Sequence, residues 1–139
     1  MPTPKTILII DDDDDLREAL AEQLALHEEF RPVQASTATE GVRQAREIRA
    51  DLILLDVNMH GMDGFEVVQR LRSRGIKTPI IIVSGRQEDY DTLYGLDIGA
   101  DDYVTKPFNP IVLGAKVKAL IRRSKGALSG ADAVISAGP

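Results

Sequence analysis

Four apolar runs along the chain stop at polar groups, and between them the hydrophobic positions switch to helical spacing. Ile7-Leu8-Ile9-Ile10 ends at Asp11 and Asp12, Leu52-Ile53-Leu54-Leu55 at Asp56, Ile80-Ile81-Ile82-Val83 at Ser84, and Tyr103-Val104 at Thr105 and Lys106. Uninterrupted Ile, Leu and Val predict strands covered on both faces, as the central strands of a parallel sheet are. The predicted strands are Thr6–Asp11, Arg31–Ala35, Asp51–Asp56, Pro79–Ser84 and Asp102–Thr105, the second being the weakest. Leu16, Ala19, Leu20, Gln23 and Leu24 share one helical face, with Asp14 or Asp15 placed to cap it. Further helices are predicted over Thr39–Ile48, Gly64–Arg72 with a stop at Gly75, Gln87–Leu96 with a stop at Gly99, and Asn109–Arg123 with Pro110 in its first turn.

Strand and helix alternating five times predict βα units joined by right-handed crossovers. The matching architecture is a flavodoxin-like (βα)5 three-layer sandwich, a parallel five-stranded sheet in the order 2-1-3-4-5. In that order the carboxyl ends of strands one and three flank the point where the connections diverge, and Asp12 and Asp56 fall there. The expected domain covers residues 5–123. Residues 124–139 lose their periodicity and turn rich in Ser, Gly and Ala, which predicts a flexible tail or linker.

At 139 residues there is room for one ordinary domain, large enough to hide roughly two-thirds of its unfolded surface. The chain has no cysteine, which rules out disulfides and thiolate metal sites and agrees with a cytoplasmic setting. No apolar stretch approaches the ~20 residues of a bilayer span. A formal net charge of −5 argues against direct nucleic-acid binding by the domain, because such affinity rests on basic residues that release counterions. The cluster Lys116, Lys118, Arg122, Arg123 and Lys125 is basic but lacks interleaved aromatics, which favours protein pairing over DNA contact.

Carboxylates gathered at one sheet edge repel each other unless a cation sits among them. Mg2+ suits such a site: it takes hard oxygen ligands and completes its shell with water and phosphate oxygens. A carboxylate beside it could attack phosphorus and form an acyl phosphate, and Asp56 is the candidate nucleophile. Phosphoryl transfer asks the protein mainly for positioning and for charge around the oxygens, tasks suited to Lys106 and the Ser84 hydroxyl.

The chain resembles the receiver (CheY-like) domains of bacterial two-component response regulators, closest in pattern to the OmpR/PhoB type. The resemblance spans about Lys5 to Arg123. It is carried by Ile-Ile-Asp11-Asp12-Asp13, by Leu-Asp56-Val-Asn58-Met-His-Gly-Met-Asp63-Gly64, by Val-Ser84-Gly85, and by Gly99-Ala-Asp-Asp-Tyr103-Val-Thr-Lys106-Pro107-Phe108. It implies a phosphorylation-operated switch in which Asp56 is the phosphoacceptor, Asp11, Asp12, Asp56 and the main-chain carbonyl of Asn58 hold Mg2+, and Ser84 and Lys106 contact the phosphoryl group. Tyr103 would turn inward as Ser84 moves. The implied partners are a sensor histidine kinase or phosphotransfer protein and a second copy of the chain. The second copy would pair through the fourth helix, fifth strand and fifth helix, with Asp101 and Asp102 meeting Lys116, Lys118, Arg122 or Arg123 across a two-fold axis. Three departures stand out. His60 replaces the usual proline, Gly85 the frequent alanine, and Val112 and Thr92 remove one ion pair of the OmpR/PhoB dimer face.

Taken singly, these residues have plainer readings. Asp13, Asp14 and Asp15 read as capping and surface residues, Asp63 as part of a turn with Gly61 and Gly64, and His27 and His60 as surface histidines. Three other functions share some of the pattern. An aspartate-nucleophile phosphatase of the haloacid dehalogenase kind would need an acid where Asn58 stands, a nucleotide-binding module would need a glycine-rich phosphate loop, and a constitutive interaction domain would ignore phosphate. The receiver reading makes the chain no enzyme beyond its own phosphoryl transfer and dephosphorylation.

Overall fold

The apolar runs form the middle of a five-stranded parallel sheet, seen in a computed structural model that describes residues 3–57, 59, 63–85, 94–106 and 108–137, with side chains as far as 124. The strands are β1 (Lys5–Ile10), β2 (Phe30–Ala35), β3 (Leu52–Leu55), β4 (Ile80–Ser84) and β5 (Asp102–Thr105), in the order β2-β1-β3-β4-β5. This is the predicted flavodoxin-like topology. The helices are α1 (Asp14–Ala25), α2 (Ala38–Glu47), α3 (Gly64–Ser73), a helical turn α4 at 94–97, and α5 (Pro110–Ala137). Most of the helix expected over Gln87–Leu96 lies outside the described residues.

Alternation along each strand divides the core in two. Leu8, Ile10, Ile53, Leu55, Ile80, Ile82 and Tyr103 face one side, where Val42 and Ala45 of α2 and Phe65, Val68 and Leu71 of α3 cover them. Ile7, Ile9, Leu52, Leu54, Ile81, Val83 and Val104 face the other, under Leu20 and Leu24 of α1 and Leu113, Val117 and Leu120 of α5. A period-two strand between two helical layers needs apolar residues at every position, which is why these runs are unbroken. At the edge, β2 tolerates Pro32, which lacks the N–H a central strand would require.

Caps set where the helices start. Asp13 accepts a hydrogen bond from the Leu16 N–H at 3.1 Å and opens α1, so the cap sits one residue earlier than expected and Asp14 and Asp15 form the first turn. Thr37 accepts from Glu40 and opens α2, and Asp63 accepts from Phe65 and opens α3. Gly75 ends the α3 region at φ +79°, and Gly99 sits at φ +123° before β5.

A second correction concerns the tail. The backbone of residues 124–137 continues α5 as helix instead of an irregular segment. Ala127, Ala131, Ala133 and Ala137 are strong helix formers, and extending an existing helix avoids the cost of nucleation. Among the described residues no helix is long and apolar enough to cross a membrane.

Candidate acidic metal centre

Asp11 and Asp12 follow β1 directly, and Asp56 follows β3. These strands are neighbours with Ile10 opposite Leu55, so their last hydrogen bonds aim all three acids at one spot. Asp56 N–H donates to the Ile10 carbonyl at 2.9 Å, and Asp11 N–H donates to the Ala35 carbonyl of β2 at 3.2 Å. The β1 connection runs toward one sheet edge and the β3 connection toward the other, which leaves a crevice between the strand ends. Carboxylate oxygens of Asp11, Asp12 and Asp56 lie there within 4.8 Å of one another, Asp11 and Asp56 buried and Asp12 half-buried.

Lys106 reaches in from β5. Its Nζ lies 3.6 Å from Asp56 Oδ2 and 4.0 Å from Asp11 Oδ2. Its main-chain N–H donates to the Ser84 carbonyl at 2.7 Å, which fixes where the lysine leaves the sheet. Ser84 is fully buried at the end of β4, the strand next to Asp56. The structure therefore brings together the four strand ends that the sequence marked.

Burial pushes the Asp11 carboxyl from 3.8 up to about 6. The Asp13 N–H, which donates to Asp11 Oδ1 at 2.9 Å, pulls it back down. The charge of Asp56 raises it, Lys106 lowers it, and a hydrogen bond shared with Asp56 raises it again. Three carboxylates against one ammonium leave two negative charges to be neutralised when all are ionised. That excess, and a donor set made only of oxygen, fit a hard dication.

Two supports of this site escaped the sequence reading. Arg17 is buried and forks between three elements: Nη1 donates to the Asp11 carbonyl at 2.8 Å, Nε to Gln34 Oε1 at 3.0 Å, and Nη2 pairs with Asp14 at 2.8 Å. Gly64 is the second. A β-carbon there would overlap the Val57 backbone and come 2.6 Å from the Asp56 carbonyl oxygen, so only glycine lets the start of α3 lie against the strand end.

Tyr103 lies opposite Ile82 and is buried, its ring close to Gly95 of α4 and to the same space that Phe65 fills. The acidic and basic residues expected to meet across a two-fold axis have partners within the chain. Asp101 pairs with Arg72 at 2.9 Å, Asp102 with Lys116 at 3.0 Å, and Lys118 with Glu29 at 3.0 Å, while Arg122 and Arg123 are exposed. His27 is a surface residue edge-on to Phe30. Asn58, His60, Gly61, Thr92, Pro107 and the Lys125 side chain lie outside the described residues.

Comparison with known proteins agrees with this fold. The sequence pattern of the response regulator receiver domain matches residues 7–118. The transcriptional regulatory protein AfsQ1 of Streptomyces coelicolor is 43% identical over 120 residues, covering 86% of this chain and 52% of AfsQ1. A CheY-like receiver domain protein from Methanospirillum hungatei superposes with a TM-score of 0.84 at 28% identity, over 90% of this chain and 99% of that one. The response regulator DrrB of Thermotoga maritima, an OmpR/PhoB homolog, superposes with a TM-score of 0.78 at 30% identity, over 88% of this chain and 54% of DrrB. The chain spans about half the length of the curated relatives it matches.

Proposed function

The chain belongs to the response regulator receiver domain family, and on that premise we propose that it is a phosphorylation-operated switch whose phosphoacceptor is Asp56. The observation that carries this reading is the placement of the Lys106 ammonium 3.6 Å from a buried carboxylate that faces two more. The donor is the phosphohistidine of a sensor histidine kinase or phosphotransfer protein in the cytoplasm. Asp56 Oδ attacks phosphorus, the P–N bond breaks, and its electron pair stays with the departing imidazole. Asp11, Asp12, Asp56 and the main-chain carbonyl of Asn58 would hold Mg2+, which would supply positive charge to the donor's phosphoryl oxygens beside the carboxylates. Lys106 balances the charge of the new acyl phosphate, and the Ser84 hydroxyl donates to one of its oxygens.

The added group brings about two negative charges to a site that already carries an excess. Lys106 and Ser84 are drawn toward it, and because Lys106 directly follows β5 and Ser84 ends β4 the movement shifts that part of the sheet. Tyr103, between Asp102 and Val104 on β5, is the aromatic that follows. The readout is a second copy of the chain, paired through α4, β5 and α5 in the manner of OmpR/PhoB receivers, with transcription controlled by an output domain. Turnover is limited to the domain's own transfer and later hydrolysis.

Incubation with acetyl phosphate and Mg2+ is expected to add one phosphoryl group, read by mass spectrometry, and chelation with EDTA is expected to abolish the addition. An Asp56→Ala variant labelled as well as the parent would overturn the assignment.

A further inference from the structure

Away from the acidic centre, α2 and α3 lie side by side over the same face of the sheet, and a groove of about 490 Å3 runs between them. Thr39, Val42, Arg43 and Arg46 of α2 form one wall, and Arg70 with Arg74, at the end of α3, forms the other. Arg46 and Arg74 also line an adjoining hollow of about 470 Å3 that reaches Ala45 and Ile76. Four arginines thus converge on one concavity of a chain whose net charge is −5.

The pairing within the groove is uneven. Arg43 holds Glu47 at 2.8 Å, and Arg70 reaches Glu66 only at 3.8 Å, both as exposed pairs one helical turn apart. Such pairs contribute little and exchange readily for a better anion. Arg46 and Arg74 have no ion pair among the described residues. Each stands near the carboxyl end of its helix, where a cation complements the backbone dipole. That role needs one charge per helix and gives no reason for both to border the same two hollows. Glu47 is the one acid in the groove wall, against four guanidiniums.

We infer that this groove binds a small anion carrying two or more linked phosphate groups. Guanidinium is planar and presents paired N–H donors that match phosphate oxygens, so four around one space suit a chain of phosphates better than a single carboxylate. The volume lies within the range of small-ligand sites, and the concave shape between two helices does not fit a flat protein partner. Polar and apolar atoms share the lining about equally, but among its charged groups four guanidiniums stand against the single Glu47 carboxylate, so recognition of an anion falls on the arginines. The inference is independent of the role of Asp56, because no residue of the acidic centre lines the groove.

The test is calorimetric titration of the full chain with inorganic pyrophosphate and, separately, with ATP, in EDTA so that no divalent cation links phosphate to the acidic centre. Saturable binding of one equivalent is expected. The double variant Arg46→Gln/Arg74→Gln is expected to weaken it at least tenfold while its circular dichroism spectrum and unfolding midpoint stay unchanged. Tighter binding of ATP identifies a nucleotide as the natural source, and equal binding identifies the phosphate chain alone. Failure of both probes to saturate overturns the inference, as does undiminished binding by the double variant. Capture of polyglutamate with no binding of either phosphate also overturns it, and assigns the groove to an acidic protein segment.

Discussion

A carboxylate with almost no surface in water is a poor anion, and one that faces a second carboxylate is poorer. Asp11 meets both conditions, and its pKa rises from 3.8 to about 6. In the unfolded chain the same group loses its proton near 3.8. Between about 4 and about 6 the unfolded state therefore binds fewer protons than the folded one, and the stability contributed by this group falls as pH rises through that window. A divalent cation competes with the proton for the same oxygens. Added Mg2+ is thus expected to raise the unfolding midpoint clearly at about pH 7.5 and hardly at about pH 5, checked by thermal melts with and without the ion. An equal rise at both values would contradict the raised pKa. Asp11 and Asp56 were legible in the sequence because each closes an apolar run. Arg17 was not: arginine in a helix normally reads as surface, and the main-chain carbonyl of Asp11 and the Gln34 amide that justify its burial come from other elements.

At the scale of elements, α3 is held at both ends by contacts that spacing does not reveal. Its start presses on the backbone at Asp56 and Val57, where Gly64→Ala would drive a β-carbon to 2.6 Å from the Asp56 carbonyl. The clash meets backbone on both sides, so α3 must back away. A loss of about 1–3 kcal/mol is expected in urea unfolding, together with slower labelling of Asp56 by acetyl phosphate. Its other end is stapled by Arg72, which donates to the Gly99, Ile76 and Thr78 carbonyls at 2.8–2.9 Å and to Asp101 at 2.9 Å. Asp101 also accepts from the Ile80 N–H at 2.8 Å, so one guanidinium ties α3 to the start of β4 and to the turn before β5. Arg72→Met keeps the bulk, removes the donor from three carbonyls and takes the cation from Asp101, which keeps only the Ile80 N–H. The same denaturation should show a loss of about 2–4 kcal/mol, and a loss below about 0.5 would mean that water replaces the staple. The hydrophobic face of α3 and the stop at Gly75 could be read from periodicity. The staple could not, because its acceptors are main-chain atoms whose convergence depends on the fold, and the helical course of 124–137 was missed because serine and glycine masked the alanines.

For the molecule as a whole, whether two copies pair turns on which forces remain after each chain has satisfied itself. Asp102 and Lys116, expected to meet partners across a two-fold axis, meet each other at 3.0 Å within one chain, and Asp101 is committed to Arg72. Exchanging such a pair for its equivalent across an interface replaces one partly exposed ion pair by another, each worth about 0–1 kcal/mol. Apolar surface is distributed differently. Of the five exposed large hydrophobic side chains among the described residues, Tyr94, Leu96, Ile111 and Val112 belong to α4 and α5, and only Leu26 lies elsewhere. Ile111 is 82% exposed and Val112 48%, so burying them is worth about 1–3 kcal/mol per side chain. Pairing through this face should therefore rest on apolar contact, with the charges setting register. Sedimentation in beryllium fluoride and Mg2+ is expected to show a dimer that Ile111→Ser/Val112→Ser weakens at least tenfold, while Lys116→Ala weakens it less than about fivefold. The reverse ranking would return the interface to its ion pairs, and a monomer in every condition would mean that the phosphorylated state is read by a different surface.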